Sequence, residues 1–191
     1  MRGIRVWLMS LLAMGGSVAI AAAEEGQDGH FISEVRGGIL AHDTGPFGNS
    51  KEDGIAISGE VLFSTPAFLE WALEPRPHLG FSYAPDEFST SHAYFGLTWE
   101  ADFFDDFFGY FGFGGAVHDA DVLGEFDPDT NELNPQKALG CRVLLRENFG
   151  VGYRITERVN VAVHVEHISN ANLCDKNEGL DGTGVRLGWV F

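Results

Sequence analysis

A chain of 191 residues holds one domain of ordinary size and is too short for two comfortable ones. With 28 acidic residues against 12 lysines and arginines, its formal net charge is −16 and no basic patch is visible, which argues against nucleic acid as a partner.

The N-terminus reads as an export signal. Arg2 and Arg5 give a positive start, residues 6–23 are almost wholly apolar, and Ala21, Ala22 and Ala23 run into Glu24 and Glu25. That order is a secretory signal peptide with an A-x-A site, cut after Ala23, so that 1–23 is removed and 24–191 is the mature domain. A retained membrane helix is the competing reading. The run is only marginally long enough to span a bilayer, and Gly15, Gly16 and Ser17 weaken it. Removal takes away two positive charges and moves the formal charge from −16 to −18.

No later segment is apolar for the length of a membrane helix. The chain instead shows short stretches in which apolar residues alternate with small or polar ones, a period of two that means strands. In chain order they cover 31–42, 54–63, 77–84, 93–101, 107–118, 140–155, 158–169 and 181–191. The alternation is clearest in the later ones. Val161, Val163 and Val165 oppose Ala162, His164 and Glu166; Val185, Leu187, Trp189 and Phe191 oppose Arg186 and Gly188. In 140–155, Val143, Leu145, Phe149, Val151 and Tyr153 oppose Arg142, Arg146, Asn148 and Arg154.

Such strands build either a soluble sandwich, with the apolar face inside, or a membrane barrel, with the apolar face toward lipid. Export, frequent aromatics, Arg and Glu on the opposite face and a terminal Trp-Val-Phe favour the barrel. The expected fold is all-β, an eight-stranded antiparallel transmembrane barrel. An even strand number puts both termini on the periplasmic side, with short turns there and longer loops outside. Residues 156–158 fit as a turn; 119–139 and 170–180 fit as loops. His167 and Ser169 then lie at the outer end of the seventh strand with the parity of the lipid-facing valines, and Asp181 opens the eighth beside them.

Two apart on a strand, His167 and Ser169 project from one face. A neutral imidazole there can take the serine proton and make the hydroxyl a nucleophile. A carboxylate must hold the ring's tautomer, and Asp181 is best placed, with Glu178 as the alternative. The spacing alone is common in strands of no catalytic consequence. Its position in a lipid-facing stripe, where polar groups are costly, is what points to function.

His167-Ile-Ser169-Asn170-Ala171, followed by Asn177-Glu-Gly179-Leu-Asp181 and Gly184-Val-Arg186-Leu, resembles the signature of the lipid A 3-O-deacylases, over about the last 25 residues. The resemblance implies an outer-membrane barrel that removes the ester-linked 3-hydroxyacyl chain at position 3 of lipid A in lipopolysaccharide, without a cofactor. His167 would be the general base, Ser169 the nucleophile and Asp181 the acid, where the best-known members carry Glu. Asn170 and Ala171 would supply oxyanion donors. Asn172 stands where glycine is common.

His164 has interior parity and is expected to join Glu166 and nearby arginines. His30, His42, His78, His92 and His118 show no metal-ligand spacing, so no metal is expected. Asp119, Asp121, Glu125, Asp127, Asp129 and Glu132 read as a solvated loop lacking an EF-hand pattern. Cys141 and Cys174 are either a disulfide or two free thiols; the barrel order, which puts both at the outer end of neighbouring strands, favours the bridge. The competing functions are a structural or adhesive barrel and a phospholipid esterase of the same mechanism.

Overall fold

A computed structural model of the chain describes residues 30–122 and 136–191. The signal segment and the loop positions Glu125, Asp127, Asp129 and Glu132 lie outside the described residues.

Eight strands close into one barrel: β1 (Ile32–His42), β2 (Ile55–Phe63), β3 (Arg76–Tyr83), β4 (His92–Phe104), β5 (Phe107–His118), β6 (Val143–Arg154), β7 (Val159–Ser169) and β8 (Leu180–Val190). Each pairs antiparallel with the next, and β1 also pairs with β8, Ile39 facing Val185 and Ala41 facing Thr183. Closure leaves no free sheet edge, the condition for backbone to cross a bilayer as strands. No helix among the described residues is long and apolar enough to cross a membrane.

The strands invert the usual distribution of side chains. Ile39, Ile57, Leu79, Phe95, Val163, Val185 and Leu187 are each more than half exposed, whereas Arg146 and Arg186 rank among the largest fully buried side chains. Burying those charges is tolerable only because they are paired and hydrogen-bonded. Glu34 accepts from Arg36 at 2.8 Å, Arg76 at 2.8 Å and Asn160 at 2.9 Å. Further along the interior Glu166 meets Arg146 at 2.6 Å, and the Arg146 guanidinium lies 3.5 Å from the Tyr94 ring centroid. His164 is fully buried there, its Nδ1 2.8 Å from the Tyr110 hydroxyl and its Nε2 3.5 Å from Glu166.

Two features differ from the sequence expectation. β4 runs on to Phe104, beyond position 101, because Asp102 and Phe104 still find ladder partners in Phe108 and Phe107 across a register shift. The β2–β3 connection, on the same end as the termini, is not a tight turn. It holds a short 3-10 helix (Ala67–Ala72) with Phe68 and Trp71 exposed, tied back where the Trp99 indole donates to the Ala72 carbonyl at 2.9 Å.

Candidate active site

At the other end of the barrel, β7 and β8 bring His167 directly opposite Asp181. Alternation along β7 turns His167 and Ser169 to the outer wall while His164 and Glu166 face in. His167 Nδ1 lies 2.5 Å from Asp181 Oδ1. The other carboxylate oxygen accepts the N–H groups of Phe47 at 2.7 Å and Gly48 at 2.9 Å, both from the β1–β2 loop. Asp181 has outward parity, yet this loop covers it so fully that only 2% of it is exposed. A buried carboxylate with three donors is held in one orientation and kept ionised without bulk water.

The cover is built for close approach. A Cβ at Gly45 would come within 2.5 Å of the Asp181 carboxylate, so the loop passes only as glycine. The Phe47 ring sits over the imidazole, centroids 5.4 Å apart, and reaches Phe149 on β6 at 6.4 Å. On the opposite flank Gly179 has φ +57°, and a Cβ there would lie 2.9 Å from His167 Cε1. Both the left-handed backbone and the space therefore require glycine.

Ser169 lies two residues along β7 from His167, opposite Leu145 of β6, about 7 Å of strand away. Its hydroxyl makes no hydrogen bond among the described residues. The chain then turns sharply. Ala171 (φ 51°) and Asn172 (φ 61°) are left-handed, and the Leu173 N–H returns to the Asn170 carbonyl at 3.0 Å, a type I′ turn. Asn tolerates that conformation better than other non-glycine residues, which explains how Asn172 replaces a glycine.

The two expected oxyanion donors fare differently. The Asn170 N–H is occupied by the Asn177 side chain at 2.9 Å, and its side-chain amide donates to the carbonyls of Leu139, at 2.7 Å, and Lys176. Asn170 is thus a buried loop anchor with no donor to spare. The Ala171 N–H donates to nothing among the described residues. Glu178, the alternative acid, does not approach His167. It accepts from the Ala138 N–H at 2.5 Å and Lys51 Nζ at 2.9 Å. Burial pushes the Glu178 carboxyl up, but those two donors outweigh it and hold the group below the usual carboxylate range.

The loops are bolted together by groups the sequence did not single out. Lys137, fully buried, forms an ion pair with Asp43 at 2.9 Å and donates to the Gly179 carbonyl at 2.8 Å. Glu52 accepts the Lys137 N–H at 2.6 Å, Thr90 N–H at 2.7 Å and Thr90 hydroxyl at 2.8 Å, and meets His42 at 2.7 Å. A disulfide joins Cys141 to Cys174, Cα atoms 6.0 Å apart. Among the described residues no cluster of three or more His, Cys, Asp or Glu is arranged to hold a metal ion.

Residues 88–190, which include His167, Ser169 and Asp181, match the family model of the lipid A 3-O-deacylases (PagL). The chain belongs to that family. No curated protein sequence matches it significantly. Among solved structures, the crystal structure of the outer membrane enzyme PagL superimposes with a TM-score of 0.57 at 14% identity, over 83% of this chain and 100% of the other. The N-terminal β-barrel domain of Pseudomonas aeruginosa OprF gives 0.52 at 11% identity, over 85% of this chain and 100% of that one. A designed transmembrane β-barrel also gives 0.52, at 10% identity, over 89% and 99%. A designed barrel matching as well as a natural one makes the point that fold is silent on chemistry. Family membership rests on the sequence match, and the site must be argued from its own geometry.

Proposed function

We propose that this protein is an outer-membrane serine esterase that removes the 3-O-linked acyl chain from lipid A of lipopolysaccharide. The observation that carries the reading is the His167–Asp181 pair on the outer wall, with Ser169 two residues further along the same face.

Asp181 fixes His167 as the tautomer with its proton on Nδ1, leaving Nε2 to act as base. The mechanism requires the Ser169 hydroxyl, on the same face, to reach Nε2, a contact that often tightens only when substrate is bound. Nε2 takes the Oγ proton as Oγ bonds to the ester carbonyl carbon, and the carbonyl electron pair moves to oxygen. The Ala171 N–H, free and immediately past the turn, is the donor available to that oxyanion. Collapse breaks the bond to the sugar oxygen, which leaves with the proton from Nε2. Water then repeats the attack on the acyl-Ser169 ester, giving its proton to Nε2, and the fatty acid departs as Oγ is reprotonated. No step calls for a cofactor.

In this reading the chain is cut after Ala23, residues 24–191 form the barrel, and the loop end lies at the outer leaflet. Mass spectrometry of lipid A from cells with and without the protein tests the activity. Loss of one hydroxyacyl chain is expected with the wild type and not with Ser169→Ala. Unchanged lipid A, or recovery of most folded protein in the soluble periplasm, would overturn the reading.

A further inference from the structure

The outward positions of β6 run Val143, Leu145, Glu147, Phe149, Val151 and Tyr153. One carboxylate therefore interrupts an apolar stripe. Glu147 is partly exposed and stands directly opposite His167 on β7 and Phe113 on β5. Its carboxylate makes no hydrogen bond and no ion pair among the described residues, although every carboxylate buried in the barrel interior is paired. An ionisable group on the lipid-facing wall is costly and marks function by default. It is not needed to orient the imidazole, because Asp181 already holds Nδ1 from the other side. A carboxylate only accepts hydrogen bonds, so what Glu147 lacks is a donor, and none of the described residues supplies one.

The register says which part of a bound lipid would supply it. Ser169 faces Leu145, and the His167–Glu147 pair lies two residues further from the loop end, about 7 Å deeper along the wall. An ester held at Ser169 keeps its sugar at the loops and sends its acyl chain toward the middle of the bilayer. The first carbons of that chain must pass the His167–Glu147 row, between Leu145, Phe113 and Phe149. The apolar neighbours suit methylenes. The carboxylate does not, unless the chain carries a hydroxyl close to its carbonyl. Carbon 3, two bonds beyond the scissile carbonyl, is at the right depth. We infer that Glu147 accepts a hydrogen bond from a hydroxyl on carbon 3 of the departing chain and so selects 3-hydroxyacyl esters. This deepens the proposed activity and rests on it.

The test uses the purified, detergent-folded barrel and two synthetic 3-O-acylglucosamine lipids that differ only in the 3-hydroxyl of the ester-linked chain. The wild type is expected to prefer the hydroxylated ester by about ten- to a hundredfold in kcat/KM, the size of a hydrogen bond to a charged group. Glu147→Leu should collapse that ratio toward one. Glu147→Gln, which keeps an amide oxygen as acceptor, should retain part of it. An unchanged ratio in Glu147→Leu overturns the inference. So does an equal loss on both esters with a shifted pH profile in both variants, which would tie Glu147 to the charge on His167 instead. Should Glu147→Leu lose its heat-modifiable mobility and prove unfolded, Glu147→Gln decides, with a ratio equal to wild type counting against. A wild type inactive on both esters would remove the proposed function itself, a result distinct from an active enzyme without chain preference.

Discussion

The interior of the barrel near the termini and the outer wall near the loops are both polar, but they treat polarity in opposite ways. Around Glu34 and Glu100 each carboxylate oxygen accepts at least one charged donor, from Arg36, Arg76 or Arg154, at 2.5–2.9 Å. On the wall, Asp181 is fully engaged, but Ser169, Glu147, the Ala171 N–H and Nε2 of His167 have no partner among the described residues. The interior carboxylates are satisfied within the barrel, since an unmet buried acceptor costs about 1–3 kcal/mol, although some interior nitrogens such as Arg146 Nε and His78 Nε2 are unmet. A row of unmet groups beside one rigidly oriented imidazole is a set of places for someone else's atoms. For carboxylates the contrast separates the framework from the wall without reference to any relative: those inside are paired, and Glu147 is not.

The sharpest way to break that contrast is to remove the wall groups one at a time. Ser169→Ala and His167→Ala should each lower esterase kcat by at least about 10³-fold, as expected for members of a nucleophile–base unit. Neither opens a core cavity, so barrel formation, followed by heat-modifiable mobility and circular dichroism, should be unchanged. Near-wild-type hydrolysis by Ser169→Ala would mean that another group attacks the ester.

Asp181→Asn comes next, with an expected loss of about 10²–10⁴-fold, because an amide can favour the wrong imidazole tautomer. Asp181→Glu is expected to be impaired too, although it is the conservative change. The carboxylate here is boxed in by the Gly45 backbone and the Phe47 and Gly48 N–H groups, and an added methylene has nowhere to go. Kinetics on the two variants side by side check this; full activity in Asp181→Glu would show that the β1–β2 loop yields freely.

Parity alone made most of this wall legible. Alternation in 158–169 fixed which way His167 and Ser169 point, and it also placed Glu147 between Leu145 and Phe149, a signal visible in the sequence but passed over. What could not be read was the cover. Phe47 lies 134 residues from Asp181 in the chain, and nothing local in Gly45-Pro-Phe47-Gly48 announces that it folds onto β8. The same holds for Lys137, an unremarkable lysine in a loop until Asp43 and Gly179 converge on it. Asn170 shows a related limit of local pattern: sequence shows that a residue has donors, not that Asn177, Lys176 and Leu139 engage them. The 3-10 helix (Ala67–Ala72) was missed because six residues carry too little periodicity to register.

Lys137→Met probes whether the cover matters to the site. Removing one partner of a buried pair leaves Asp43 uncompensated and should cost about 3–5 kcal/mol locally. The strands are closed without it, so the loss should appear as faster hydrogen exchange in residues 43–54 and about tenfold lower activity, with the barrel intact. Mild acid should reproduce the loosening. Burial pushes the Glu52 carboxyl up, but His42, the Lys137 and Thr90 N–H groups and the Thr90 hydroxyl outweigh it and hold the group below its ordinary value. Glu178 is lowered likewise. Both therefore contribute stability that is fully present above the unfolded carboxylate value of about 4.3 and is lost as pH falls through their depressed folded values. Loop protection should be flat from about pH 5 to 8 and fall below about 4. A decline already under way at neutral pH would mean that these carboxylates are not what holds the loops.

The smallest expected effect belongs to the disulfide, and it tests whether loop tethering acts on the site or only on stability. Cys141 and Cys174 are separated by 33 residues, and a chain-entropy estimate for a loop of that size is roughly 3–4 kcal/mol. That figure assumes an unfolded chain free to keep the two ends apart. Once β6 and β7 are paired from Leu145–Ser169 to Arg154–Asn160, the ladder has already brought the ends together, so much of the gain should be absent in the assembled barrel. What the bridge still does is anchor Leu173 and Cys174, and with them the type I′ turn that presents the Ala171 N–H. Left-handed Ala171 carries strain of about 1 kcal/mol or more, and a turn under strain relaxes when its tether is cut. Cys174→Ser should therefore lower kcat about three- to tenfold while KM and the unfolding midpoint of the barrel barely move, as a misaligned oxyanion donor acts on the transition state more than on binding. Steady-state kinetics and thermal unfolding on one preparation make the comparison. A fall in unfolding midpoint with kcat unchanged would reduce the bridge to a staple, and free alkylation of both cysteines in the oxidised protein would show that the loop is held by Asn170, Asn177 and Lys137 alone.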